Sequence, residues 1–278
     1  MPLKLYHTTS GAVAELNNSF YQIGNDWNHT VNRENLYNYI LQKIQSGDPT
    51  QITLDAAGKI LPPIGNQELW AAGVTYVRSK VARMEESEQS GAARFYDLVY
   101  EAERPELFFK SAAWRVQGSG GKLKIRRDST WNVPEPELTL LISSAGTIEG
   151  YTVGNDMSSR SIEGENPLYL PQAKIFDGCA ALGPCLLILD QPISASTEIS
   201  MKIFRDGKQE FSGSAVVGQM KRSLSELAGW LTRELSFPDG VMLMTGTCIV
   251  PPDNFTLQSG DQVSIQIEGI GLLENLIA

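Results

Sequence analysis

A chain of 278 residues, 42% apolar and 20% charged, has the makeup of a globular protein able to bury a large core. Its 32 acidic residues outnumber 23 basic ones, and the basic residues do not cluster, so the formal charge of −9 argues against nucleic acid and anionic membrane as partners. No apolar run reaches the ~18 residues a membrane span needs, and "MPLKLYHTTS" lacks the apolar core of a signal peptide; Cys179, Cys185 and Cys248, in no metal-binding pattern, read as reduced thiols of a cytoplasmic protein.

Residues 1–64 read as a small N-terminal unit. It holds a helix-compatible stretch, "RENLYNYILQKIQSG", a short strand "QITL" and a turn in "DAAGK". Both histidines, His7 and His29, lie in this unit, which argues against a histidine triad or a His-rich zinc site. "LPPIGN" is a linker, and a main domain, 65–278, opens with the buried-strand pattern "ELWAAGVTY". "RSKVARMEESEQSGAARFYDLVYEAE" is polar and helix-forming, with a break expected at Gly91. Then come the aromatic strand "PELFFKSA", a hairpin "ELTLLISSAGTIEGYTVGND" turning at "SSAG", the strand "CLLILD" and two hairpins, "EISMKIFRDGKQEFSG" and "DQVSIQIEGIGLLENLI". One clear helix, "SLSELAGWLTRELSF", has Ser223 as N-cap and Glu226 at the capping-box position. The pattern predicts a strand-dominated α+β protein.

"VPEPELTLLI" (133–142) puts two carboxylates two positions apart at the head of an apolar strand. Alternate strand residues share a face, so Glu135 and Glu137 point the same way, roughly 7 Å apart along the chain. Like charges that close repel unless a cation lies between them. The hairpin returns Asp156 toward their level, so three carboxylates converge, and oxygen-only ligation favours Mg²⁺, Ca²⁺ or Mn²⁺ over zinc. The residues alone fit a second reading, the commoner one for such pairs: a solvated strand face with Asp156 capping a turn.

The stretch after Asp156, "MSSRSIEGENPLYLPQAKIFDGCAALGP", is long, polar and rich in turn residues, as functional loops are. Its isolated Lys174 is either a surface lysine or, beside a carboxylate-bound cation that disfavours its charged form, a candidate base. "GSGGK" completes neither a dinucleotide nor a Walker pattern and reads as a plain turn.

The set "GVTY", "PELFFK", "EPELTLLI", "GYTVGNDMSSR", "LPQAKIFDGCAALGP" and "LMTGT" resembles, in order and spacing over about residues 68–278, the fumarylacetoacetate hydrolase family. The resemblance implies a β-roll, a homodimer or homotetramer, and a Mg²⁺ ion (in some members Ca²⁺ or Mn²⁺) held by Glu135, Glu137 and Asp156, with Lys174 downstream. The ion site of this family takes a 2-oxo acid. Hydrolytic members carry a water-activating histidine three residues after the tyrosine that here is Tyr76; this chain has Ser79 there, and no histidine elsewhere in the resembling region. Hydrolysis of an acylpyruvate is therefore not expected. A branch that dehydrates 2-keto-3-deoxy sugar acids to dioxo acids fits better. That likeness carries Glu106 and Lys174 over as the catalytic pair, with Thr247, Arg78 and Ser79 as substrate contacts. The same residues leave open another reaction of a 2-oxo acid (hydrolysis, decarboxylation or isomerisation), a non-catalytic 2-oxo acid or metal-binding module, and a structural protein. For Arg78 a surface salt bridge is an equal alternative.

Overall fold

A computed structural model describes residues 1–78 and 93–278. Ser79 and the stretch around Gly91 lie outside the described residues.

Strand β1 (Leu3–Thr8), β2 (Gly11–Leu16) and β3 (Ser19–Gly24) form an antiparallel meander, three strands that the sequence patterns did not single out. Helices α1 (Trp27–Val31) and α2 (Leu36–Gln45) follow, then β4 (Gln51–Ile52) on the flank of β3. The expected strand "QITL" is cut to two residues because Asp55–Ala57 winds into a 3-10 turn. β1 pairs with β13 (Ala180–Ile188), so residues 1–64 lay their strands along the main sheet. Trp27, Val31, Leu36 and Ile40 pack with Leu182, Leu186 and Ile188 in one apolar cluster.

In the rest of the main sheet, β5 (Glu68–Gly73) and β6 (Glu106–Ala112) pair antiparallel; between them α3 (Ala93–Glu101) is described. β10 (Pro136–Ile142) and β11 (Ile148–Asp156) are the expected hairpin, with β10 buried along its whole length. Its run "LTLLI" supplies both faces: Leu138, Leu140 and Ile142 face one cluster, and Leu141 faces the other. β16 (Val241–Met244) runs antiparallel to β10 and parallel to β5, giving the order β4-β3-β2-β1-β13-β11-β10-β16-β5-β6. A second sheet holds both remaining hairpins: β14 (Glu198–Arg205) with β15 (Lys208–Val216), and β17 (Gln262–Ile267) with β18 (Gly271–Ile277). Its first turn closes tightly because Asp206 and Gly207 both take positive φ, 50° and 76°. Helix α6 (Leu224–Leu231) starts where expected, the Ser223 side chain accepting from the Glu226 N–H. Short strands complete the set: β7 (Val116–Gln117) pairs with β13, β8 (Lys122–Leu123) with β18, and β9 (Asn132–Val133) with Ser158–Ser159 as a separate two-stranded sheet, so that the fold is a strand-dominated α+β protein with two large open sheets.

Strand direction gathers the chemistry. β10 starts, β11 ends, β16 ends, β5 ends and β6 starts at the same edge of the main sheet. Glu135 and Glu137, Asp156, Thr247, Gly73 and Glu106 occupy those five chain positions in turn. Among the described residues, no helix is long and apolar enough to cross a membrane.

Candidate active site

The hairpin register sets the acidic cluster. Glu137 lies opposite Gly154, and the Asp156 N–H donates to the Glu135 carbonyl at 2.9 Å. Carboxylate oxygens of Glu135, Glu137 and Asp156 then come within 4.8 Å of one another. All three side chains are buried, at 4%, 2% and 1% exposure, which overturns the solvated-face reading. Gly154 is required beneath them: a Cβ there would lie 2.3 Å from Thr139 Oγ1.

The segment after Asp156 is more regular than its composition suggested. It holds β12 (Ser158–Ser159) and two short helices, α4 (Arg160–Glu165) and α5 (Leu170–Lys174), the second with proline in its first turn. Helices of five or six residues are too short to leave a periodic signal. They turn Arg160, Glu163 and Lys174 inward, all buried to 2% exposure or less. Lys174 Nζ donates to Glu135 Oε2 at 2.6 Å, to Asp156 Oδ2 at 3.0 Å and to Ser158 Oγ, so its three donors are all engaged. It is no surface lysine. Arg160 Nη2 donates to Glu135 Oε1 at 2.7 Å, and Glu163 Oε1 lies 3.9 Å from Lys174 Nζ.

Lys110 was missed. Its ammonium is fully buried, 2.6 Å from Asp156 Oδ1, and donates to the Met157 and Lys174 carbonyls. The available signal was alternation along β6: Glu106, Phe108 and Lys110 all work on the site side. Phe108 lies with its ring centroid 5.7 Å from Lys174 Nζ, and Glu106 carries its carboxylate over Gly73. Arg160, Glu163 and Ser158 had no signal beyond membership of a polar loop.

The charge balance explains the titration behaviour. Four buried carboxylates (Glu135, Glu137, Asp156, Glu163) meet three buried cations (Lys110, Arg160, Lys174), leaving one excess negative charge among these residues, 3 − 4 = −1. Burial, then the neighbouring Asp156 and Glu135 charges, hold Glu137 well above the usual carboxylate range, against the pull of Lys174 and of the Gly246 N–H that it accepts at 2.6 Å. Burial also pushes Asp156 up, but Lys110 and Lys174 outweigh it and hold the group below its ordinary value. Burial is the main reason that the Tyr76 hydroxyl, near Glu137 and Cys248, is raised and that the Cys248 thiol is pushed up to about 12.

The cavity at this cluster is lined by Gly73, Val74, Phe108, Gly246 and Thr247 together with the acidic and basic groups. It measures ≈ 10 Å³, room for about one water. A larger groove of ≈ 810 Å³ beside Tyr37, Tyr151 and Met220 contains none of the expected site residues. Thr247 is buried, exchanging hydrogen bonds with the Ile249 backbone at 3.3 Å. Arg78 is exposed and is not among the lining residues.

An oxygen-only, buried, over-charged triad fits a hard divalent ion. A bound Mg²⁺ would offset the excess negative charge counted above.

Residues 77–278 match the family described as fumarylacetoacetate (FAA) hydrolase, C-terminal. A probable 2-keto-3-deoxyxylonate dehydratase of Haloferax volcanii is 48% identical over 216 residues, 77% of this chain and 73% of that protein. The 2-dehydro-3-deoxy-D-arabinonate dehydratase of Saccharolobus solfataricus is 42% identical over 220 residues, with the same coverage. A solved structure of 2-keto-3-deoxy-D-arabinonate dehydratase complexed with magnesium and 2,5-dioxopentanoate superimposes with a TM-score of 0.81 at 32% identity, covering 100% of this chain and 98% of that one.

Proposed function

The chain belongs to the fumarylacetoacetate hydrolase family, and we propose that it is a magnesium-dependent dehydratase of a 2-keto-3-deoxy sugar acid of the arabinonate or xylonate type. One observation carries the reading: a dehydratase holding magnesium and its dioxo acid product superimposes over the whole of this chain, whose buried carboxylates suit that ion.

Glu135, Glu137 and Asp156 would hold the ion. Bound there, it supplies the Lewis acidity that polarises a 2-oxo carbonyl and acidifies the C3 protons. The protein groups do the proton work. Lys174, acting in its uncharged form, takes a proton from C3, and Glu106, at the start of β6 opposite Gly73, protonates the C4 hydroxyl as it leaves as water. The C3–H and C4–O bonds break, one water is released, and the unsaturated acid tautomerises to a 2,5-dioxo acid. Arg160 and Lys110 hold Glu135 and Asp156 in place through their ion pairs. Thr247, at the end of β16, serves the substrate carboxylate end; Arg78 and Ser79 are further contacts in this reading. Residues 1–64 are a small unit added to the catalytic domain 65–278. The protein works in the cytoplasm as a homodimer or homotetramer.

The test is product mass. Incubated with Mg²⁺ and 2-keto-3-deoxy-D-arabinonate or its xylonate counterpart, the enzyme should give a product lighter by one water; an unchanged substrate mass would defeat the assignment.

A further inference from the structure

Ahead of Glu106 the chain runs through the C-terminal end of α3 and a four-residue turn, Ala102 to Pro105. A helix end presents carbonyls without helical partners and the negative end of the helix dipole. Here one carbonyl of the helix end and two of the turn after it are gathered by one side chain from a distant element. Arg222, 7% exposed, precedes α6; its Nη1 donates to the Glu103 carbonyl at 3.0 Å, and its Nη2 to the carbonyls of Ala102 at 2.6 Å and Val99 at 3.3 Å. Glu226 accepts from the same guanidinium at 2.6 Å and fixes its orientation. The preceding Lys221 donates from Nζ to the Tyr100 carbonyl at 2.6 Å.

The same short segment also grips the other side of Glu106. The Lys221 N–H donates to the Thr75 carbonyl at 2.9 Å, and the Thr75 hydroxyl donates to the Thr245 carbonyl at 2.7 Å, fixing the chain where it leaves Gly73. Gly73 pairs with Glu106 across β5 and β6. The approach to Glu106 and the exit from its opposite number are thus tied to one anchor, Lys221–Arg222. These contacts lie outside the acidic cluster and none of them reaches its cavity.

We infer that Arg222 is a positioning residue for Glu106, acting through the backbone carbonyls that precede it. The inference rests on the proposed role of Glu106 as the acid. A carboxyl group misplaced by about 1 Å costs on the order of 10²-fold in rate, so loss of the anchor should appear in turnover and not in ion binding at Glu135, Glu137 and Asp156.

A double-mutant cycle tests this. Turnover and KM for loss of water are measured at saturating Mg²⁺ for wild type, Glu106→Gln, Arg222→Lys, Arg222→Ala and the two double variants, with the folded fraction counted by Mg²⁺ binding stoichiometry. Arg222→Lys keeps a cation at the helix end but cannot span three carbonyls, and it covers the case in which Arg222→Ala does not fold. The expected result is a roughly 10- to 100-fold loss of turnover per folded molecule in Arg222→Lys with KM near the wild-type value, and almost no further loss when the substitution is made on Glu106→Gln. Equal losses in both backgrounds, or no loss in either, would overturn the inference. If Glu106→Gln alone retains wild-type turnover, it is the acid role of Glu106 that fails, and the two failures are told apart.

Discussion

Gly73 lies directly opposite Glu106 across the β5–β6 ladder, and a Cβ built on Gly73 would stand 1.9 Å from Glu106 Oε2. The clashing atom is the far end of a flexible side chain, so the fold can accommodate a methyl group by moving the carboxylate. Gly73→Ala should therefore cost little stability, within about 1 kcal/mol. It should nonetheless reduce turnover by on the order of 10²-fold. Thermal unfolding and steady-state kinetics on the same preparation check this; wild-type turnover in Gly73→Ala would mean that the position of Glu106 is immaterial.

Glu137 sets a pH dependence. Its folded-state value is raised by burial and by the neighbouring carboxylates. In the metal-free protein it therefore contributes stability that is fully present below the ordinary carboxylate range and is lost as pH rises through the raised value. Mg²⁺ requires the ionised form, so between those two limits binding should expel a proton from Glu137 and affinity should climb with pH. Asp156, held low by Lys110 and Lys174 despite its burial, should release none. Titration calorimetry in buffers of different ionisation heat reads the proton directly; buffer-independent heats across the acidic range would contradict the assignment.

Lys110→Met keeps the length of the side chain and removes the charge facing Asp156. Breaking a buried pair of this kind costs about 3 kcal/mol. The Asp156 contribution is present above the ordinary aspartate range and disappears as acid protonates the group, so the deficit should be largest near neutrality and shrink at low pH. Chemical denaturation of the metal-free variant at several pH values measures it; a pH-independent deficit would assign Lys110 a packing role only.

Much of this was legible in the sequence because it depends on strand arithmetic. The spacing of Glu135 and Glu137, the turn near 143–147 and the length of the return strand suffice to bring Asp156 back beside them. The sharp hairpin at Asp206 and the capped helix after Ser223 were written in local chemistry. What escaped were contacts made by geometry in three dimensions. Nothing in "ELFFKSA" says that Lys110 ends on Asp156 rather than in water, and burial of the Glu pair followed from β16 and the short helices packing over it, neither of which has a strong pattern. The N-terminal strands were missed because "LKLYHT" and "SFYQIG" alternate weakly; β1 is held by its pairing with β13, and β3 by its pairing with β2 and β4.

The family resemblance puts Ser79 where hydrolytic members would carry histidine, and this predicts that acylpyruvates are poor substrates. In a mixture of acetylpyruvate and a 2-keto-3-deoxy pentonate with Mg²⁺, only the sugar acid should disappear. Cleavage of acetylpyruvate at an ordinary enzymatic rate would make the protein a hydrolase despite that serine.

The most direct test of the dehydration chemistry is hydrogen exchange at C3 of the substrate in deuterated water, followed alongside product formation in Glu106→Gln and Lys174→Met. Proton abstraction needs Lys174 and the ion; expulsion of the hydroxyl also needs Glu106. Glu106→Gln should lose about 10²–10⁴-fold in dehydration yet still incorporate deuterium at C3, whereas Lys174→Met should lose both. Exchange surviving in Lys174→Met and vanishing in Glu106→Gln would contradict the account and reverse the two roles.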